Sequence, residues 1–500
     1  MQEERRMKRS SGVLMAMSSL PSPYGIGTMG KSAFRFVDFL AAAGQKYWQV
    51  LPLGPTSYGD SPYASFSTFA GNPYYIDLDL LIKDGLLRKA EINGRDWGSD
   101  PARVDYGKIY ENRFQVLRIA YSRCGEKMRE EVAAFRKENA AWLENYALYM
   151  AVKARFGMKS WTEWPDEDIR KHKPEAVAAY GTKCREDVDF YVFLQFLFFR
   201  QWNALRAYAK EKGVQFIGDI PIYVALDSAD VWSDPENFQL NDENIPTEVA
   251  GVPPDDFTED GQLWGNPLYN WDRMQKDGFG WWIRRVEGAQ KLYDMIRIDH
   301  FRGFDSYWAV PYGEKTAKNG RWRPTPGAAL VKVLTSWFHD LRFIAEDLGY
   351  MTPGVKKMLQ DSGLPGMKIL EFGFYTGGDS DHAPHNCIGN SVCYIGTHDN
   401  ETVSGWVKNG KGTPSLKYAR EYMHITEDEG WCWGMIRTGM GTASELFVMQ
   451  MQDLLELGPK ARMNTPGKAD GNWQWRMLPG AADAKLARKL RQYTERYRRL

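Results

Sequence analysis

No run of about 18 or more apolar residues occurs in the 500-residue chain, so no membrane-spanning helix is expected. Charge of one sign is not in excess either. Lys+Arg and Asp+Glu both number 64, for a formal net charge of zero, and no dense basic tract stands out. That argues against nucleic acid or an anionic membrane as a partner. Arg5, Arg6, Lys8 and Arg9 are expected to form a solvated tail. The first twenty residues contain no secretory-leader core, and the basic stretch is too short for a transit peptide. Cysteine is scarce: Cys124, Cys184, Cys387, Cys393 and Cys432 are odd in number and show no zinc-type spacing. A reduced chain in the cytoplasm is expected. There is no GxGxxG after a strand, no GxxxxGK[ST] and no HExxH, so neither a nucleotide cofactor nor a metal is expected.

What the chain has in quantity is aromatic rings, with 19 Trp, 26 Tyr and 24 Phe. Large cores account for most of them, and sugar rings have apolar faces that suit the rest. At 43% hydrophobic residues the chain can bury a sizeable core.

The chemistry reads outward from Tyr293–Phe304, YDMIRIDHFRGF. Ile296 and Ile298 alternate with Arg297 and Asp299, which is a strand period. Arg297 and Asp299 then share one face, where they are costly unless paired or used. Taken alone, the pair slightly favours the reading as a structural ion pair. Two more apolar runs end on acids: RFIAEDL reaches Glu346 and CYIGTHDN reaches Asp399. In a (β/α)₈ barrel such strand ends meet on one face. Three carboxylates from three strands suit glycoside chemistry, as nucleophile, proton donor and transition-state stabiliser.

In chain order, 12–20 reads as a first strand, and Lys31 to Gly44 as an amphipathic helix closed by Gly44. Residues 47–53 form a second strand, followed by a turn-rich loop carrying Tyr58 and Tyr63. Both tyrosines are either sugar platforms or ordinary loop anchors. The stretch 54–213 is a mostly helical inserted subdomain, with helical patterns over 112–121, 127–156 and 187–212. A third strand, 214–223, carries Asp219. Residues 224–290 then read as an irregular loop over the active face. Asp255, Phe257 and Trp264 are contact candidates there, with plain surface-loop chemistry as the alternative. Strands four and five hold Asp299 and Glu346. Runs at 367–372, 393–399 and 447–455 supply the last three. Residues 1–53 thus start the barrel and 214–500 complete it. The class is α/β, a (β/α)₈ TIM barrel with helical insertions after strands 2 and 3. His300 and His398 adjoin carboxylates without the convergent ligands a metal needs, so hydrogen bonding is the simpler role.

RIDHFRGF, FIAEDLG and GTHDNET, in that order, resemble the 4-α-glucanotransferases known as amylomaltases or disproportionating enzymes, distant relatives of the α-amylases. The stretches LPLGPTSYGDSPYASFSTFAGNPYYIDL, GDIPIYVALDSADVW, GVPPDDFTEDGQLWGNPLYNW and NTPGKADGNWQWR are similar to the same family and extend the likeness over nearly the whole chain. The resemblance implies a barrel acting on α-1,4-glucans and maltooligosaccharides, with glucose among its acceptors and no cofactor. It implies Asp299 as nucleophile, Glu346 as general acid/base and Asp399 as a sugar-binding transition-state stabiliser. Arg297 would hold Asp299 ionised, and His398 would bond the sugar. Tyr63 would stack at the cleavage point and Tyr58 would belong to a remoter contact region. Asp255 and Trp264 would lie on the acceptor-side loop, and Asn464 falls in a matching motif. The chain departs from many relatives at Glu401, where they carry Asp, and at Asp256, where some carry Tyr. An α-amylase-like retaining hydrolase and a glucan-binding protein with a decayed site are the competing readings.

Overall fold

In the computed structural model, which describes residues 8–254, 258–349, 351–375, 379–468 and 470–500, twelve strands are interspersed with helices. They are β1 (Ser10–Leu14), β2 (Tyr47–Gln49), β3 (Gln215–Ile220), β4 (Glu248–Val252), β5 (Gln262–Pro267), β6 (Met295–Ile298), β7 (Ser306–Pro311), β8 (Arg321–Pro324), β9 (Arg342–Ala345), β10 (Gly366–Ile369), β11 (Ser391–Tyr394) and β12 (Leu446–Gln450). Eight of them form one sheet in the order β10-β11-β12-β1-β2-β3-β6-β9, with every pairing parallel. These are the eight runs expected from the sequence. Between β9 and β10 the Ala345 N–H donates to the Pro365 carbonyl (3.0 Å), and Asp347 Oδ1 accepts from the Met367 N–H (2.6 Å). The sheet thereby curls into a (β/α)₈ barrel, and a side chain adjoining Glu346 helps to close its seam.

The strands are shorter than their apolar runs. After β1 the chain turns into a 3₁₀ helix at Met17–Ser19, after β10 into another at Leu370–Phe374, and after β12 into a helix at Met451–Leu454. A strand buried on both faces has no polar residue to mark its end, so periodicity overruns it. The helix Lys31–Ala42 forms as read, and Gly44 beyond it takes φ +74°, a conformation that favours glycine.

Between β2 and β3 the chain is helical, including Tyr106–Ser122, Glu126–Glu138, Ala140–Arg155 and Arg185–Glu211. The aromatic seam of the last of these is buried, and Trp202 reaches Phe216 of β3 with ring centroids 4.7 Å apart. One continuous apolar core runs through the barrel and these helices. The stretch after β3 is more ordered than an irregular loop, and it is not purely helical. It contains the helices Trp271–Lys276 and Gly280–Leu292 and the strands β4 and β5. With β7 and β8 these strands make an antiparallel sheet in the order β5-β4-β7-β8, centred on Val249, Val310 and Ala317. Its prolines and glycines mask the pattern, and its pairing partners lie far along the chain.

The basic start is also not simply solvated. Arg9 donates to the carbonyls of Thr442 (2.7 Å) and Met440 (2.7 Å). Near the other end, Arg499 is buried and donates to Met440 and Ser10 carbonyls (2.9 and 2.8 Å). Both arginines satisfy carbonyls at the C-terminal end of the helix Gly430–Gly441, which no further turn reaches.

Candidate active site

Asp299 leaves the end of β6, and the next residue, His300, is left-handed at φ +47°. That turn is strained for a residue with a Cβ. It aims the His300 N–H at Glu346 Oε2, 2.6 Å away. The other oxygen, Glu346 Oε1, accepts from the Leu348 N–H (3.1 Å). The loops leaving β6 and β9 are thus joined through the Glu346 carboxyl.

Arg297 is 3% exposed and sits beneath these groups. Its Nη1 donates to both oxygens of Asp219 (2.8 and 2.7 Å) and to Asp299 Oδ1 (3.1 Å). Asp219 and Arg297 are direct partners in the β3–β6 ladder. Asp219 also accepts from the Tyr63 hydroxyl (2.8 Å). The guanidinium is therefore shared, with Asp219 as its closer partner. Asp219 is part of the site that sequence reasoning noticed as a strand-end acid without giving it a role.

On the other side of the mouth, Asp399 Oδ1 accepts from Asn464 Nδ2 (2.6 Å) and lies 3.4 Å from His398 Nε2. Arg462 donates to the Asp399 carbonyl (2.7 Å) and to the Asn464 carbonyl (2.7 Å). The Tyr63 ring stacks on His398 at 5.1 Å and 17°. Trp473, itself left-handed at φ +64°, completes the group at 5.9 Å from both rings. Arg462 and Trp473 were not foreseen, although Trp473 lies within the NTPGKADGNWQWR stretch.

Trp264 meets His300 edge-on, with centroids 4.8 Å apart and planes at 82°, at the lip beside Asp299. Tyr58 stands 77% exposed on the loop after β2, near Tyr110 of the inserted helices and apart from the acids. Asp255 and Phe257 lie outside the described residues. So Arg297, Asp299, Glu346, His398, Asp399, Tyr63, Trp264 and Asn464 converge at one mouth, and Tyr58 does not. Among the described residues no group of three or more His, Cys, Asp or Glu side chains is arranged to hold a metal ion.

The electrostatics follow from four carboxyl groups around one guanidinium. Burial pushes Glu346 up to about 7, against Arg297 and its two backbone N–H donors. Burial, with Asp219, Glu346 and Asp399 beside it, also pushes Asp299 upward, and Arg297 opposes the push. The Asp299 side chain remains 27% exposed and touches Arg297, whereas both Glu346 oxygens meet only neutral N–H groups. That asymmetry favours the proton on Glu346 and the charge on Asp299. Burial lowers His398, and it pushes His300 down to about 3, so both rings are neutral hydrogen-bonding groups. The result is a negative, water-accessible mouth with two raised acids, one of them held by Arg297. It suits a reaction that develops positive charge on a sugar ring.

A family model described as 4-alpha-glucanotransferase matches residues 15–481. The chain is 47% identical over 488 residues to a 4-alpha-glucanotransferase from Clostridium butyricum, covering 97% of this chain and 100% of that one. It is 46% identical over 506 residues to one from Thermus thermophilus, covering 99% and 100%. Among solved structures it superposes on an amylomaltase from Streptococcus agalactiae, in complex with acarbose, with a TM-score of 0.96 at 43% identity, covering 98% and 100%. The chain belongs to the 4-alpha-glucanotransferase family, enzymes that transfer segments of α-1,4-glucans.

Proposed function

We propose that the transfer runs as a retaining double displacement with Asp299 as nucleophile, Glu346 as acid/base and Asp399 as stabiliser of the oxocarbenium-like transition state. The observation that carries this reading is the pairing of a carboxylate on Arg297 with a second, buried carboxyl pushed up to about 7 at the same mouth. Protonated Glu346 gives its proton to the leaving glycosidic oxygen as Asp299 attacks the anomeric carbon. The donor's reducing-end fragment departs, leaving a glucosyl ester on Asp299. Glu346, now ionised, takes the proton from an acceptor hydroxyl. That oxygen then attacks the same carbon and frees Asp299. A group with a pKa near neutrality serves both steps.

The preferred acceptor is the 4-hydroxyl of a glucan or of free glucose. Asp399, His398 and Asn464 are assigned to sugar hydroxyls, Tyr63 to the ring at the cleavage point and Trp264 to the acceptor side. Asp255 is assigned with Trp264 to the acceptor side, and Tyr58 to glucan contacts farther out. The cytoplasm is the proposed location. In support, all five cysteines are buried and free, as a reducing compartment allows. Among the described residues no helix is long and apolar enough to cross a membrane.

The test is maltotriose as sole substrate, with products resolved by size. Glucose plus a ladder of longer maltooligosaccharides is the expected result. Maltose and glucose alone, in equal amounts, would mean that water outcompetes the sugar acceptor. Products that form with inverted anomeric configuration would remove Asp299 as nucleophile.

A further inference from the structure

Beneath the turn that presents Asp399 lie two acids that the reaction does not use. Glu371 stands in the 3₁₀ helix after β10 and is 2% exposed. Its N–H donates to the Ile395 carbonyl (3.1 Å). Its Oε1 abuts Gly396, where an added Cβ would lie 3.3 Å from that oxygen, 3.3 Å from Gln450 Nε2 and 2.8 Å from Asn400 Cβ. The turn is therefore packed directly on the Glu371 carboxyl. The Asn400 amide faces the same carboxyl. Asn400 Oδ1 in turn accepts from the Thr397 N–H (2.9 Å) and hydroxyl (3.0 Å), and Thr397 Oγ1 accepts from the Asp399 N–H (3.3 Å). At the far end of the turn, fully buried Asp453 accepts from the Val403 N–H (2.8 Å).

Arg462 is a cation beside this layer. Arg462 Nη1 lies 3.6 Å from Glu401, and its Nη2 holds the Asp399 carbonyl. Among the described residues, Glu371 Oε1 and Asp453 Oδ2 are buried without a hydrogen-bond partner. An ionised carboxylate with an unpartnered oxygen in the core is far costlier than a neutral acid.

We propose that Glu371 and Asp453 are positioning residues for glucan transfer, protonated carboxyl groups that brace the 396–403 turn and so hold Asp399 in place. The inference rests on the catalytic role given to Asp399 above. Burial pushes Asp453 up to about 7 and raises Glu371 too. The charged and titratable groups facing Glu371 are Asp453, Glu401, Arg462 and Tyr375, and those facing Asp453 include Glu401 and Cys432. Only Arg462 among them is cationic. Ionising either acid adds a charge that nothing on the turn offsets.

The experiment measures kcat and KM on maltotriose for Glu371→Gln, Glu371→Ala, Asp453→Asn and Asp399→Asn, with unfolding followed from pH 5 to 8. Glu371→Gln keeps the shape of the neutral acid, and its kcat should stay within about threefold of the parent. Glu371→Ala lets the turn drop and should lose roughly 10²-fold in kcat with little change in KM, the scale of a 1 Å misplacement. Asp453→Asn should flatten the fall in folding stability between pH 5 and 8. Glu371→Gln falling as far as Glu371→Ala would mean the carboxylate works ionised and would overturn the proposal, as would Glu371→Ala matching the parent. If Glu371→Ala does not fold, lost turnover in folded Glu371→Gln, or an unflattened profile for Asp453→Asn, would overturn it. An active Asp399→Asn would instead sink the catalytic reading itself, whatever Glu371 does.

Discussion

Arg297 is closer to Asp219 than to the nucleophile candidate on its own strand. Its Nη1 lies 2.7 Å from Asp219 Oδ2 and 3.1 Å from Asp299 Oδ1. Asp219 is the structural counter-ion, and Asp299 receives the remainder of the field. Two charges buried this deeply are tolerated only as a pair. Asp219→Ala should therefore cost about 3 kcal/mol in urea unfolding, the low end for breaking a buried pair, because Arg297 keeps Asp299. Tyr63→Phe removes only the hydroxyl bond to Asp219 and should cost about 1 kcal/mol. Equal stability losses in the two variants would contradict this division of the guanidinium.

The pH dependence turns on Glu346. As the proposed acid/base, its carboxyl must be protonated to act on the leaving oxygen, and burial places it at about 7. The kcat/KM for donor glucan should fall as pH rises through that value, and should fall again at acid pH where Asp299, also pushed upward, takes up a proton. Glu346→Gln should lower kcat at least roughly 10²-fold, and its residual rate should lose the alkaline limb. Stability follows the same sign. Between the ordinary 4.5 and about 7 the native state binds the proton that the unfolded chain has released. Folding free energy therefore declines with rising pH over that window, by about 1.4 kcal/mol per unit for one such group. A parent alkaline limb that persists in Glu346→Gln would assign it to another group.

The barrel was legible because each of its strands is a short apolar run, and the acids were legible because three runs end on one. The antiparallel sheet was not legible in the same way. Trp308 pairs with Trp322 and Gly251 with Trp308, contacts that no local period reveals. The Asp219–Arg297 pair joins residues 78 positions apart, whereas Arg297 and Asp299 are visibly two apart. Sequence proximity therefore suggested the weaker partner. Arg462 was invisible for the same reason, since its role is to hold the carbonyl of Asp399, 63 residues away.

Asp399 depends on Asn464. The 2.6 Å bond from Nδ2 to Oδ1 is the short side-chain donor contact that fixes the carboxylate, with His398 farther off at 3.4 Å. A hydrogen bond to a charged group is worth about 1.5–3 kcal/mol. Asn464→Ala should accordingly lower kcat/KM on maltotriose by roughly 10- to 100-fold. Asn464→Asp sets a like charge against Asp399 and should do worse, with some recovery at acid pH. Steady-state kinetics at pH 5 and 7 separate the two variants, and equal damage at both pH values would argue for loss of packing alone.

Transfer differs from hydrolysis only in which hydroxyl reaches the intermediate. Trp264 bears on that choice, because its ring closes the lip edge-on to His300 while it stays 36% exposed, open to an incoming sugar. Its Nε1 donates to Gln262 Oε1 (3.2 Å), which fixes the plane of the indole. Water gains nothing from an aromatic face, whereas a glucose ring does. If that face contributes about 1 kcal/mol, the scale of an aromatic contact, Trp264→Ala should raise the acceptor KM roughly fivefold. Water access is left untouched or improved, so the share of cleavage events ending in hydrolysis should rise by a similar factor. The readout is new reducing ends per glucose released from maltotriose, which transfer alone leaves constant in total. An acceptor KM that rises without any growth in hydrolysis would mean that Trp264 binds sugar but does not exclude water.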